Sequence, residues 1–546
     1  MYTAALLSLG LAAICAHAAP TRRDVGTKNV FAHFIVGFTV NYTTDDWTED
    51  ITQAHAVGID GFALNVGIDN WQPAQVAAAS LGCASPSDAA YIRDWVTTYT
   101  NHPNQYKYNG RVFVSTFAGE NCLFGQGGTA AQAWASQFTS QLTGSNAIHF
   151  VPSFFVDPAT FNQYSINGMF DFNSGWPISL TTDTANQQLA SQGESLSNTN
   201  PDDEEKITQI LLSNVGSIVI DQQYVNALSS VSSDDGGAAT YMGAVSPWFF
   251  THYTGKNWIY YADSHLYNTR WENIIANRDL FDLVEIVTWN DYSESHYIGP
   301  IHGAQPGSQD WVDGFDHSAW LTMTSYYISA YKTGSYPTIT DDAIFVWARP
   351  HPKNAVATSD STQDLMWAVV FASAPCEVDL WTSDTNTQTF QLPAGVSKIN
   401  MPLTETGGYM RARLQRNGNV ITDFAPSDYF YHPDPSLYNF NAFTASSPGA
   451  TVLSAPSNPP SPPSHQIHPN GDTSKCLDVA DAAFTNGTPV QMYVVTSLSF
   501  VRPLTLRYNR ANCNGGNAQN WLINEGTTSI QVAGTEFCLD AGTSMS

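Results

Sequence analysis

The chain has 546 residues and carries 48 Asp and Glu against 21 Lys and Arg, a formal net charge of −27. Nucleic acid and acidic lipid both need basic surface, so this balance argues against either as a partner and leaves a neutral polymer unopposed. The length predicts two to four domains.

Residues 1–18 read as a signal peptide. The apolar run Ala4–Ala13 is followed by the small-x-small sequence Ala16-His17-Ala18. That run is too short to span a bilayer, and no later stretch reaches 18 uninterrupted apolar residues, so no membrane anchor is expected. Loss of the leader removes Cys15 and leaves Cys83, Cys122, Cys376, Cys476, Cys513 and Cys538 as disulfide candidates in an oxidising compartment. None has zinc-ligand spacing, and neither metal nor cofactor is expected. Asn41-Tyr-Thr and Asn486-Gly-Thr are glycosylation sequons.

Strand-like and helix-like stretches then alternate. Val30–Gly37 predicts a strand, Trp47–Val57 a helix, Gly61–Val66 a strand, Tyr91–Thr100 a helix, Arg111–Phe117 a strand and Ala130–Leu142 a helix. Further strands are predicted at Ile148–Phe155, Gly168–Phe172, Tyr241–Trp248 and Leu283–Thr288, with Ile344–Arg349 as the eighth. Such alternation implies a parallel sheet. Eight strands fit a (β/α)8 barrel over residues 28–349, whose active site lies at the carboxyl ends of the strands. Residues just past those ends include Asn65, Glu120, Asp157, Trp176, Trp248, His252, Asp291 and Glu294, all polar, acidic or aromatic. Asn65, Glu120, Trp176, Trp248 and His252, with Trp289, Asn290, Tyr292 and His296 further on, are the candidates for substrate contact, although any one could instead be a cap or a loop hydrogen bond. Cys83 and Cys122 follow neighbouring strands and are expected to bridge. Leu189–Asp221 interrupts the approach to the sixth strand, with Gln187-Gln188 before it and Gln222-Gln223 after it. It reads as an insertion, even a translated intron, although Asn200-Pro-Asp-Asp-Glu-Glu205 has the form of a helix start.

The richest stretch is Val287–Tyr297. An apolar strand runs out into two carboxylates, Asp291 and Glu294, set among Trp289, Asn290, Tyr292, His296 and Tyr297. Cleaving a glycosidic bond takes one carboxylic acid to protonate the leaving oxygen and a second carboxylate to direct water or attack. Aromatic side chains supply the apolar surface on which sugar rings pack. Glu294 is taken as general acid and Asp291 as base, with the reverse left open. A general acid must stay protonated, so the Glu294 pKa is expected to be raised by burial against Trp289 and Tyr292. Positions i and i+3 of an extended strand point to opposite sides, so a turn must bring the pair together. His252 and His296 are candidates for hydrogen bonds to sugar hydroxyls.

Past the barrel, Thr444–His465 is rich in Pro and Ser and reads as a linker.

Together, Phe31–Gly37, Gly58–Asn65, Ser115–Glu120, Val245–His252 and Val287–Pro300 resemble glycoside hydrolase family 71, the fungal α-1,3-glucanases or mutanases, over about residues 28–440. The resemblance implies hydrolysis of α-1,3-glucan with inversion, an acid pair at Asp291 and Glu294, and an auxiliary acid at Asp60. Asp60 precedes a strand and so falls at the bottom of the barrel, away from the chemistry. The resemblance also implies a β-sandwich after the barrel. Residues 350–440 suit it, with short strands at Leu365–Phe371, Val378–Trp381 and Tyr409–Leu414.

In the tail, residues 466–546, Lys475–Val479, Asn486–Gln491, Gln519-Asn-Trp521 and Cys538-Leu-Asp540 resemble ricin-type β-trefoil repeats. These imply a sugar pocket at Asp478, Gln519 and Trp521, with Cys476 and Cys513 as a disulfide. The trefoil is incomplete, and Val494–Ala511 sits where the repeat would go almost directly to its Cys. The expectation is a secreted, monomeric glucan hydrolase acting outside the cell or in the cell wall. The alternative is a wall protein that binds glucan without cleaving it.

Overall fold

The computed structural model describes residues 28–450, interrupted at 67–82, 177–188, 191–200, 234–236, 303–304, 306, 354, 356–361, 405–406 and 436–437. Beyond these it describes four short strands, Leu477–Val479, Val490–Met492, Trp521–Leu522 and Gln531–Val532. The expected signal peptide lies outside the described residues. The chain divides into two units, Met1–Ala455 and Pro456–Ser546.

The first unit begins with apolar parallel strands, buried on both faces in all but the second and third. They are β1 (Asn29–Ile35), β2 (Gly61–Asn65), β3 (Arg111–Val114), β4 (Ile148–Phe150), β5 (Gly168–Asp171), β6 (Thr240–Val245) and β7 (Leu283–Ile286). Five of them form one parallel sheet in the order β2-β1-β7-β6-β5, half of a barrel wall. The parallel pair β3–β4 adjoins β5 through Asn167 N–H to Phe150 O (2.8 Å) and Phe170 N–H to Pro152 O (2.9 Å). Helices separate the strands. They include α1 (Thr44–Ala56), started by a Thr43/Asp46 capping box, α2 (Pro86–Tyr99), with Pro in its first turn, and α3 (Ala130–Gln137), started by a Thr129/Gln132 box.

The described part of the segment expected as an insertion is largely helical and built into this unit. It holds α4 (Pro201–Asn214), and its last residues open α5 (Val219–Leu228). Ile207 and Leu211 of α4 pack with Leu189 and Tyr261. Asp221 lies in the core opposite Arg270 of α6 (Leu266–Ala276), with both side chains fully buried. The pair is bidentate at 2.6 and 2.7 Å, and the Tyr241 hydroxyl donates to the same carboxylate at 2.7 Å. An excisable segment ending at Asp221 would take the partner of a buried guanidinium with it.

Ile344–Arg349 is not an eighth barrel strand. After α7 (Ser318–Thr333) the chain enters β8 (Ala343–Ala348), which pairs antiparallel with β9 (Leu365–Ala372), and β1 takes β7 as its neighbour directly. The misreading has a physical origin. Ala343, Phe345 and Trp347 belong to the large core of the barrel side, whereas Ile344, Val346 and Ala348 belong to a second core. A strand buried on both faces has the unbroken apolar sequence of a barrel strand whatever its pairing.

β10 (Cys376–Ser383), β11 (Asn386–Leu392), β12 (Gly395–Pro402), β13 (Arg411–Arg416), β14 (Asn419–Phe424) and β15 (Phe443–Ser446) complete two four-stranded antiparallel sheets, β12-β9-β8-β15 and β11-β10-β13-β14. Met366, Val370, Val378, Leu380 and Leu414 come together from both sheets in one core. The linker starts later than expected, because Thr444 is hydrogen-bonded into β15 opposite Trp347. No helix among the described residues is long and apolar enough to cross a membrane.

In the tail, Leu477–Val479 pairs antiparallel with Val490–Met492, and Trp521–Leu522 with Gln531–Val532. Asp478 and Trp521 fall in these strands. Gln519, Asn486, Cys476, Cys513, Cys538 and the stretch 494–511 lie outside the described residues.

Candidate active site

The site is the chain leaving β7. A 3-10 turn at Tyr292–Glu294 is followed by Ser295 in the left-handed region (φ 59°). This turn supplies what an extended strand lacks, because it brings Asp291 and Glu294 onto one imidazole. His296 Nε2 lies 2.8 Å from Asp291 Oδ2 and 3.0 Å from Glu294 Oε2. The turn is fixed from within. The Asp291 amide donates to Thr288 Oγ1 at 2.8 Å, the Thr288 hydroxyl to His296 O at 2.9 Å, and the Ser293 hydroxyl to Asp291 Oδ1 at 2.6 Å.

A hairpin of Phe250–Tyr253 and Lys256–Ile259 places the Lys256 ammonium on the other Glu294 oxygen, Oε1. The His296 ring is buried between Trp176, stacked with centroids 5.4 Å apart, and Phe249, edge-on at 5.4 Å.

The electrostatics reverse one expectation. Burial pushes Glu294 up, but His296 and Lys256 together outweigh it and hold the carboxyl at about 2. Burial likewise pushes His296 down, while Asp291 and Glu294 prevail and raise it to about 9. At neutral pH the site therefore holds an imidazolium between two carboxylates, and Glu294 is an anion, not the protonated acid its surroundings suggested. Asp291, Glu294 and His296 each offer a ligand atom within 4.8 Å of the others, a spacing that could seat a cation. With His296 and Lys256 both charged, the two negative groups already face two positive ones. The same spacing is shorter than the roughly 6.5–9.5 Å between the carboxyl groups of inverting glycosidases.

The aromatic residues picked from sequence mostly brace the site instead of lining it. Trp176, Trp248, Trp289 and Tyr292 are buried. Trp289 packs on Phe62, with its amide on His33 O, and the Tyr292 hydroxyl donates to Pro300 O. Trp248 bonds Phe440 O through its indole N–H and lies under the Arg349 guanidinium, far from the sugar-facing role expected of it. Asn290 is buried and grips both the N–H and the C=O of Ile35, tying the loop to β1. His252 packs on Tyr438, with ring centroids 4.2 Å apart.

Asn65 and Glu120 are half-buried at strand ends. Asn65 bonds His33, which bonds the buried Glu285 in turn; Glu120 accepts from Asn121 Nδ2 (3.2 Å) and from the Phe155 amide (3.5 Å). Asp157 caps the turn after it. Asp60 is at the opposite end of the sheet, taking the Val30 amide and the Lys332 ammonium. Asn41 is exposed in the turn before α1. Cys83 and Cys122 are bridged with Cα atoms 5.2 Å apart, and Cys376 is a buried free thiol.

Sequence reasoning missed Lys256, a lone cation in a hairpin turn with no spacing relation to the acids. It also missed Asp50 of α1, a buried acid that burial raises to about 6 against the opposing influence of the neighbouring Trp289 and Tyr42.

The sequence model of glycosyl hydrolase family 71 matches residues 26–456. The chain belongs to this family. It is a glycoside hydrolase, and its Asp291–His296–Glu294 cluster lies within the matched region. Among curated relatives it is 36% identical over 446 residues to the glucan endo-1,3-alpha-glucosidase agn1 of Schizosaccharomyces pombe, covering 76% of this chain and 94% of that one. It is 30% identical over 457 residues to a mutanase of Penicillium rubens, covering 77% and 89%. It is 28% identical over 460 residues to the ascus wall endo-1,3-alpha-glucanase of Schizosaccharomyces pombe, covering 76% and 96%.

Proposed function

We propose that the protein is a secreted hydrolase of α-1,3-glucan, acting outside the cell or in the cell wall, and that Asp291 and Glu294 carry the chemistry. Family membership and relatives named for this activity support the substrate. The observation that carries the mechanism is the single His296 nitrogen shared by both carboxylates. Glu294, held anionic, is the base, and Asp291, the nearer partner of the imidazolium, is the acid. The His296 Nε2 proton passes to Asp291 and on to the glycosidic oxygen as the bond to C1 breaks. Water attacks C1 and gives its proton to Glu294, which returns it to His296. The proton count closes without bulk solvent.

Inversion, implied by the family, requires the pair to part from its present spacing as the sugar and its water come in. The two antiparallel sheets are read as an accessory β-sandwich beside a barrel, and the tail as a partial lectin module.

The test is incubation with insoluble α-1,3-glucan, following reducing ends and the first anomer by NMR. The expected outcome is β product, with Asp291→Asn and Glu294→Gln each losing about 10²–10⁴-fold in kcat while remaining folded. An α product formed first means the pair works as a nucleophile–acid couple at its present spacing. Binding without any release of sugar favours the alternative, a glucan-binding wall protein.

A further inference from the structure

We infer that Phe117 and Phe155 form a sugar-binding platform at the mouth of the barrel side, taking one neutral glucosyl ring of the substrate chain away from the cleaved bond. This rests on the glucanase reading above. With the expected tryptophans buried, the exposed aromatic surface at the strand ends, among the described residues, is here: Phe117 is 52% exposed and Phe155 42%. They follow the adjacent strands β3 and β4, joined by a bridge between Phe117 and Ser153, and their rings meet edge-on with centroids 5.5 Å apart. Single exposed apolar residues are ordinary, but two bulky rings held together in the open are not.

The platform is continuous with the site. Phe117 packs on Phe172 (4.7 Å), Phe172 on His33 (5.1 Å), and the His33 carbonyl takes the amide of Trp289, two residues before Asp291.

It is also rigid. The Phe117 loop turns through Ala118 at φ 59° and Gly119 at φ 118°, where an added Cβ would meet Phe154 and Trp134 at 3.0 Å. The Trp134 indole donates to Gly119 O at 2.8 Å, and Cys122 pins the same loop to Cys83. A surface already ordered loses little entropy on binding. Beside the rings, the contacts of Glu120 to described residues are long, 3.2 Å to Asn121 and 3.5 Å to the Phe155 amide, so its carboxylate can accept from sugar hydroxyls. An apolar face with a hydrogen-bond acceptor at its rim suits a neutral hexose.

The test is Phe117→Ala and Phe155→Ala, with Phe117→Tyr as a conservative control, assayed on α-1,3-oligosaccharides of increasing length. Loss of a stacked ring removes its contact with the sugar face, so the ratio of kcat/KM for long over short chains should fall about tenfold, about 1.4 kcal/mol, in each Ala variant, through KM, and recover in Phe117→Tyr. A long-to-short ratio equal to wild type in both Ala variants overturns the inference while leaving the glucanase reading intact. So does a concentration-dependent dimer that Phe117→Ala abolishes, since the rings would then serve a second copy. A wild type that cleaves no α-1,3-glucan overturns both.

Discussion

Replacing His296 by Gln keeps an N–H donor near the two carboxylates and removes the positive charge. The nearest oxygens of Asp291 and Glu294 lie within 4.8 Å of each other. Their mutual repulsion is present in wild type too; what the substitution removes is the imidazolium 3.0 Å from Glu294 Oε2, worth about 5.5 kcal/mol, or about 4 pKa units, at an effective dielectric of about 20. The two side chains are 14% and 19% exposed, so solvent removes part of this. An upward shift of about one to two units is expected. The Glu294 carboxyl, now at about 2 because His296 and Lys256 outweigh burial, rises towards the ordinary carboxylate range. The acid limb of kcat/KM against pH reports the free enzyme, so it should move up by the same amount, and the alkaline limb set by His296 near 9 should vanish. The linkage has a matching sign. In wild type, His296 is raised in the fold, so its contribution to stability is present below about 6.5 and lost as pH rises through 9; the variant lacks that alkaline loss. The assay is kcat/KM on a soluble α-1,3-oligosaccharide across the pH range, with thermal melts run alongside. A folded variant whose profile superimposes on wild type would refute the shared-imidazole account.

Asp221→Asn strands the buried Arg270 charge, so it should destabilise the protein by about 3–5 kcal/mol, read by denaturant unfolding; a neutral effect would restore 189–221 as dispensable. His265 and His317 are buried and held near 4, so their unfolded forms bind protons first; stability should fall as pH drops from about 6.5 towards 4, and melts that stay level over that window would count against it. Cys83→Ser opens a loop of 39 residues and should cost about 4 kcal/mol in the chain-entropy account, with the larger loss at the Phe117 loop by hydrogen exchange.

The parallel strands were legible because burial on two faces leaves unbroken apolar runs, and the acid pair because a strand that ends in carboxylates and aromatics has few other uses. The same rule misassigned Ile344–Arg349, since an apolar run records burial and not the direction of the partner strand. Trp248 and Trp289 were placed against sugar because their position past a strand end says nothing about which way the ring turns. In the fold they turn inward to bond Phe440 and pack on Phe62. Glu294 was read from its own neighbours along the chain, whereas Lys256, 38 residues away, helps set its charge. Phe155 carries no motif, and the stretch Ser115–Glu120 that holds Phe117 says nothing of a partner ring. Only the bridge between β3 and β4 makes them a pair.

Because β8 gives alternate side chains to two cores, neither part of the first unit is a module in the evolutionary sense. A gene fusion that moved the barrel side alone would carry away a strand whose other face had been someone else's interior, and the donor would be left with a sheet missing its central strand. Recombination should therefore have cut this family outside residues 343–446 and transferred the two parts as one block.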